Sequence, residues 1–350
     1  CSSDLSKTTR ETIRRAKKMG KIIIALGCIE NSDLPEIDFV SPTNESAIEY
    51  IANLSESETT PHTKKQLAPL DRTRAFLKIQ TGCNFSCAYC IIPRFRGRTQ
   101  SVPAKNIIEK IKELEKKKYK EVTLTGVNIC LYQDGKTTLA GLLKKILKQT
   151  KIQRIRLGSL DPRLIPPEFI KLYPNDRLMP HWHLSLQSGA DNVLKLMRRG
   201  YTTKQYGDIV KKIRARVPTF SFTTDIIVGF PGETENDFTE TKKFVEEIQF
   251  SKVHVFPFSP RPGTAAAEMK ETVQDLVKKN RVKELIAWSD KIGKKFATNF
   301  FNQTKPVLFE HCRGKNREGY TPEYLRVVIK SENDLYNKIV KIKLNKENLK

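Results

Sequence analysis

Three cysteines stand within eight residues of this 350-residue chain: Cys83, Cys87 and Cys90, in the run Thr81-Gly82-Cys83-Asn84-Phe85-Ser86-Cys87-Ala88-Tyr89-Cys90. A Cys-x3-Cys-x2-Cys spacing also marks one face of a helix, where three thiols would pack as small apolar groups. Gly82, Asn84, Ser86 and the nearby Pro93 favour turns instead, so the segment reads as a loop leaving a strand. Loops do not enclose three thiols without a use for them. Structural zinc takes four protein ligands, and no His or Cys lies nearby to complete a set. A four-iron cluster is bound by thiolates, and three suffice to hold it. One iron then lacks a protein ligand. It is open to a molecule offering an amine and a carboxylate together, as S-adenosylmethionine does.

Such a loop needs a scaffold, and the pattern around it supplies one. From Arg74 onward, candidate strands alternate with helices. The strands are Arg74–Gln80, Glu121–Thr125, Arg154–Gly158, His183–Gln187, Ser221–Gly229 and Lys252–Phe258. The helices are Ala104–Lys118, Leu139–Gln149, Asn192–Met197 with Lys204–Arg216, Thr234–Glu247, and Thr272 to about Phe296. Repeated βα units predict an α/β fold with a parallel sheet, barrel-like or doubly wound, whose ligands sit at the C-terminal strand ends. Upstream, Leu5–Met19 reads as a basic amphipathic helix and Ile22–Leu26 as a strand leading into Gly27-Cys28. Ser55–Lys65 is polar and aperiodic, as a linker is. After Phe301, Pro306–Glu310, Tyr324–Lys330 and Lys338–Leu344 are short alternating strands of a small β-barrel. The expected division is therefore 1–55, a linker at 56–70, a central domain at 71–300 and a tail domain at 301–350.

Composition narrows the class. A formal net charge of +24 fits either a lysine-rich proteome or a polyanionic partner, of which nucleic acid is the commonest. No apolar run approaches the roughly 18 residues of a membrane span, so no membrane is expected. The cysteine total is seven, an odd number with three clustered, which suits metal-binding thiolates in a reducing cytosol better than a disulfide framework. No signal peptide is visible. The chain opens on Cys1 without an initiator Met, so further residues are expected upstream.

The triplet, with the runs GCNFSCAYCIIPRFRGR, LTGVNI, HLSLQSG, RRGYT, DIIVGFPGET and GYTPEYLRV, resembles the methylthiotransferases of the radical S-adenosylmethionine superfamily. HVFPFSPRPGTAA is most similar to the branch that acts on threonylcarbamoyladenosine in tRNA. The resemblance implies a partial parallel (βα)6 barrel, a truncated N-terminal α/β domain and a C-terminal TRAM-like barrel. It implies two 4Fe-4S clusters with S-adenosylmethionine, the second cluster held partly by Cys1 and Cys28, with its remaining ligand upstream of Cys1. It also implies an electron donor such as a flavodoxin or ferredoxin, a sulfur donor, and tRNA as partner. Gly126 matches the turn that receives the cofactor's amino group in related enzymes, though a plain βα turn reads the same way.

Several residues are candidates on their own chemistry. Ser185 and Gln187 are inward polar groups at a strand end, which need partners. The resemblance favours Gln187 for a ribose or carboxylate. Asp225 suits a ribose diol or, equally, a neighbouring Arg. Arg198 and Arg199 are candidates to clamp a carboxylate, one of the pair being only a solvated charge. Arg94, Arg96 and Arg98 form a basic strip fit for a phosphate backbone. Tyr320, Tyr324 and Arg326 are the tail's RNA-facing candidates, or else its tyrosines fill the barrel core. The rivals are a sibling enzyme acting on prenylated adenosine or a ribosomal protein, a non-catalytic iron–sulfur RNA-binding protein, and a zinc-stabilised RNA chaperone.

Overall fold

In the strands Glu121–Thr125, Arg154–Leu157 and His181–Leu184 polar and apolar residues alternate, and the computed structural model shows what the alternation separates. It describes the strands Ile24–Leu26 and Phe39–Ser41 and residues 73–350. The expected N-terminal helix, Cys1, Cys28 and the linker lie outside the described residues. Two compact units divide the chain: 1–70 with 91–97, and 71–90 with 98–350. In the first, Ile24–Leu26 pairs in parallel with Phe39–Ser41, and Ile92–Arg96 forms a short helix.

The second unit holds two parallel sheets. One runs β1 (Arg74–Lys78), β2 (Glu121–Thr125), β3 (Arg154–Leu157). The other runs from Ser159–Leu160 through β4 (His181–Leu184), β5 (Ser221–Val228) and β6 (Lys252–Pro257). Only Gly158 separates β3 from Ser159, so one chain segment serves both sheets. The helices α1 (Ala104–Lys116), α2 (Leu139–Gln149), α3 (Asp191–Leu196), α4 (Thr203–Arg214), α5 (Glu235–Ile248) and α6 (Asp275–Thr298) connect and follow the strands. The α/β reading and the parallel pairing hold, with boundaries shifted by a few residues.

Val122, Leu124, Ile155, Leu157, Trp182, Leu184, Phe222 and Ile226 join the helices in one buried core. Their polar neighbours Glu121, Thr123, Arg154, Arg156, His181, His183, Thr223 and Asp225 therefore line the opposite, inner face. Helix starts follow local rules. Thr202 and Thr234 each close a capping box, with Gln205 and Asp237 respectively.

The tail is a four-stranded antiparallel sheet in the order β9 (Arg326–Lys330), β8 (Asn316–Tyr320), β7 (Thr304–Arg313), β10 (Ile339–Lys343). Strand β8 was not expected from the sequence. The sheet's own core gathers Phe296, Phe300, Val307, Phe309, Leu325 and Val327. It abuts the N-terminal ends of the parallel strands through charge. Glu121 receives Arg156 at 2.7 Å and Arg74 at 3.3 Å. Arg74 reaches on to Glu310 and to the Tyr324 hydroxyl. Arg154 donates to the Pro306 and Tyr320 carbonyls.

Candidate metal centre

The cysteine loop leaves the C-terminal end of β1 at Gly82, whose φ of 69° is one that glycine accepts at little cost. Residues 82–91 contain no helix, so the one-face alternative is excluded. A small apolar cluster backs the loop: Ala88 packs with Val193, Met197, Phe230, Phe258 and Ala266. The Ala88 N–H donates to the Met197 carbonyl (3.0 Å), and the Ala88 carbonyl accepts from the Ala266 N–H (2.8 Å). Elements following β4 and β6 thereby fix the backbone between Cys87 and Cys90.

Cys83, Cys87 and Cys90 are half-buried and form no disulfide. Among the described residues, one trio of possible ligands has all its donor atoms within 4.8 Å of one another, and it is not this one. Three thiolates without a fourth protein ligand fall short of a structural zinc set. A four-iron cluster, which thiolates hold, suits the three side chains that the loop gathers. Cys130 differs in kind. It is half-buried beside Asp161, desolvation pushes its thiol up to about 12, and its Sγ accepts the Asp161 N–H at 3.4 Å.

A polar network, which the sequence did not reveal, ties the strand ends to the loop. Gln80 donates to the carbonyls of Thr81 (2.8 Å) and Gly82 (2.7 Å), while its Oε1 accepts the Asn128 N–H (2.9 Å). Asn128 reaches Asp161 at 3.5 Å, and Asp161 binds Arg163, whose guanidinium lies 3.5 Å from the Phe85 ring centroid. Asp161 is also 3.7 Å from Arg199.

Arg199 corrects an expectation. It does not stand open to clamp a carboxylate. It is 6 % exposed, donating to Cys87 Sγ at 3.3 Å, to the Tyr201 hydroxyl at 3.1 Å and toward the Ser185 carbonyl at 3.5 Å. Burial works against its charge, but Tyr201, Tyr89, Cys87 and Asp161 together hold the guanidinium firmly protonated. Arg198 is exposed, in left-handed backbone (φ 56°), as a solvated charge.

The comparisons agree with this geometry. The family model described as "Radical SAM superfamily" matches residues 77–245. The chain is 36 % identical to "Threonylcarbamoyladenosine tRNA methylthiotransferase MtaB" of Bacillus subtilis (strain 168), over 97 % of this chain and 82 % of that protein. The chain belongs to the radical S-adenosylmethionine methylthiotransferases. It is also 35 % identical to the "tRNA-2-methylthio-N(6)-dimethylallyladenosine synthase" of Thermodesulfovibrio yellowstonii, over 93 % of this chain and 79 % of that protein. In fold it resembles the S-adenosylmethionine radical enzyme OxsB, with a TM-score of 0.51 at 11 % identity, covering 82 % of this chain and 46 % of that one. Membership makes this protein a transferase whose cofactors are an iron–sulfur cluster and S-adenosylmethionine.

The remaining candidates of this methylthiotransferase fall into two groups. Gly126, Ser185 and Gln187 stand at strand ends beside the network. A side chain at Gly126 would lie 2.6 Å from the Gln80 carbonyl oxygen, so only glycine fits. Gln187 holds a left-handed φ of 76°, costly for a non-glycine residue and characteristic of functional sites. Its N–H donates to the Asp225 carbonyl. Asp225, the candidate for a ribose diol, has a histidine partner, His183, and not the arginine that was its alternative. Gly126→Ala is expected to displace Gln80 and loosen the residues before Cys83, costing about 1–3 kcal/mol from overpacking. Thermal melting and iron content after anaerobic reconstitution would both fall.

The RNA-facing candidates separate. Arg94 and Arg96 lie on the short helix of the first unit and Arg98 follows it. Tyr324 is a correction. Its ring stacks on Tyr320 (4.9 Å) and on His181 (4.9 Å), with the Arg156 guanidinium 4.6 Å away and Arg74 over both tyrosines. These half-buried rings join the tail to the parallel sheet, which engages the Tyr324 ring in packing within the protein. Arg326 is exposed and doubly bonded to Glu318.

Proposed function

We propose that this chain adds a methylthio group to C2 of N6-threonylcarbamoyladenosine in tRNA. The observation that carries the reading is similarity to a protein of that printed activity across nearly the whole chain. Bound together, the cluster and S-adenosylmethionine supply a reducing electron and a hydrogen-abstracting radical. The chain's own residues position and shield them. Cys83, Cys87 and Cys90 hold the cluster; Gly126, Ser185 and Gln187 border the cofactor; Arg199 sits behind Cys87.

The two parallel sheets act as one six-stranded partial barrel spanning 71–300, joined at Gly158. The tail, 301–350, is the TRAM-like module. With its tyrosines packed at the junction with the barrel, it would meet RNA through the exposed Arg313, Lys330, Lys341 and Lys343. The strip Arg94, Arg96 and Arg98 is a separate candidate for phosphate contacts. Phe76 and Phe256, 58 % and 46 % exposed, are on the inner faces of the outermost strands and suit stacking on an unpaired base. Residues 1–55, with Cys1 and Cys28, would carry the auxiliary cluster, joined by the linker 56–70. A flavodoxin or ferredoxin would supply the electron in the cytoplasm, and a separate donor the sulfur. No described helix is long and apolar enough to cross a membrane.

Nucleosides from tRNA, compared by mass spectrometry in cells lacking and regaining the gene, test this. The methylthio mark on threonylcarbamoyladenosine is expected to return with the wild-type gene and not with Cys87→Ala. A methylthiolated prenyl adenosine as the product would replace the substrate assignment. Absence of deoxyadenosine from reduced, anaerobic protein would leave only a non-catalytic role.

A further inference from the structure

Inside the barrel, away from the cysteines, strands β4, β5 and β6 bring together His183, Asp225 and His254. The parallel register sets Asp225 directly beside His254. His183 Nε2 lies 3.3 Å from Asp225 Oδ2, and the two imidazoles are 6.1 Å apart between centroids. All three donor atoms lie within 4.8 Å of one another. The His183 ring is held from behind, its Nδ1 being 3.1 Å from Thr223 Oγ1, which also meets His181 Nε2 at 3.1 Å. No lysine or arginine ion pair reaches Asp225 among the described residues. A carboxylate at the centre of the group disfavours an anionic ligand, and two imidazole nitrogens add neutral donors suited to a cation.

We propose that His183, Asp225 and His254 form a binding site for a divalent transition-metal ion. Two histidines and one carboxylate on a single face leave the remaining coordination positions open toward the barrel interior, for water or an oxygen ligand. Thr223 serves as the outer partner that fixes the tautomer and tilt of His183. The donor set selects zinc, iron(II), cobalt(II) or manganese(II) over calcium and magnesium, which prefer oxygen alone.

The test uses the full chain with its iron–sulfur cluster reconstituted anaerobically, stripped of loose metal with a chelator and titrated with zinc. One zinc per chain beyond the iron is expected by elemental analysis and calorimetry. His254→Gln and Asp225→Asn are expected to bind it at least tenfold more weakly, with iron and sulfide contents unchanged. The triple variant Cys83→Ala, Cys87→Ala, Cys90→Ala separates this site from the thiols. It should keep the zinc and, with cobalt(II), show weak d–d bands without thiolate charge transfer. Zinc binding that is absent from the reconstituted wild type, that survives both His254→Gln and Asp225→Asn, or that disappears with the three cysteines overturns the proposal.

Discussion

Replacing Arg199 by methionine is expected to lower the reduction potential of the cluster held by Cys83, Cys87 and Cys90. In the structure this buried guanidinium donates to Cys87 Sγ at 3.3 Å. Hydrogen bonds and positive charge at the ligand sulfurs stabilise the more negative, reduced cluster and so raise its potential. A hydrogen bond to a charged group is worth about 1.5–3 kcal/mol. If the bond acted wholly on the reduced state, its loss from a one-electron couple would shift the potential by roughly 65–130 mV, at about 59 mV per 1.36 kcal/mol. Methionine suits the site because it fills similar volume, and because Asp161 keeps its partner Arg163. The measurement is an anaerobic redox titration followed by electron paramagnetic resonance. Arg199→Lys, which keeps the charge without the fork, should fall between the two proteins. Equal potentials in the wild type and Arg199→Met, at equal iron content, would show that the arginine serves packing alone.

From the sequence, two adjacent arginines after a helix look alike, and only packing tells that one turns inward to a sulfur 112 residues away. What local spacing controls was legible. The strands Glu121–Thr125 and Ser221–Val228 and the helix Leu139–Gln149 follow their periodicity closely. The fourth strand runs His181–Leu184, two residues earlier than expected. A change of strand bounds does not turn any side chain over, so His183 stays on the inner face with His181. Strand Asn316–Tyr320 was missed because Asn-Arg-Glu-Gly reads as a turn. Gly319 is required there because a Cβ would lie 2.4 Å from the Leu308 carbonyl oxygen of the neighbouring strand. Gln80 and Asp161 carried no signal at all, since their roles are contacts to distant residues. Tyr324 illustrates the same point: the sequence left RNA contact and core packing both open, and a partner 250 residues away, Arg74, on its hydroxyl favours packing.

That distant partnership makes Glu121 the residue whose loss should matter most to the fold. Its carboxylate, 1 % exposed, lies among three buried arginines, with Arg156 at 2.7 Å, Arg74 at 3.3 Å and Arg154 at 3.8 Å. The same arginines carry the tail, through Glu310, Tyr324 and the carbonyls of Pro306 and Tyr320. Burial alone would push the Glu121 carboxyl up. Arg156 first, then Arg74 and Arg154, outweigh that and hold it below the usual carboxylate range. Glu121→Gln removes the one charge central to the group and leaves the guanidinium charges under-compensated, a loss of about 3–5 kcal/mol. At a few degrees per kcal/mol the midpoint of thermal unfolding should drop by roughly 6–20 °C. The pH dependence carries the sign. A carboxyl whose folded value is depressed stabilises fully above its unfolded value, and that stabilisation is lost as pH falls through the folded one. The gap between wild type and Glu121→Gln should therefore stay constant from pH 8 to about 5 and narrow only in stronger acid. Limited proteolysis should cut the variant near the junction with the tail sooner than elsewhere. A gap that is small, or that closes already between pH 8 and 5, would mean that apolar packing rather than this charge cluster binds the tail to the barrel.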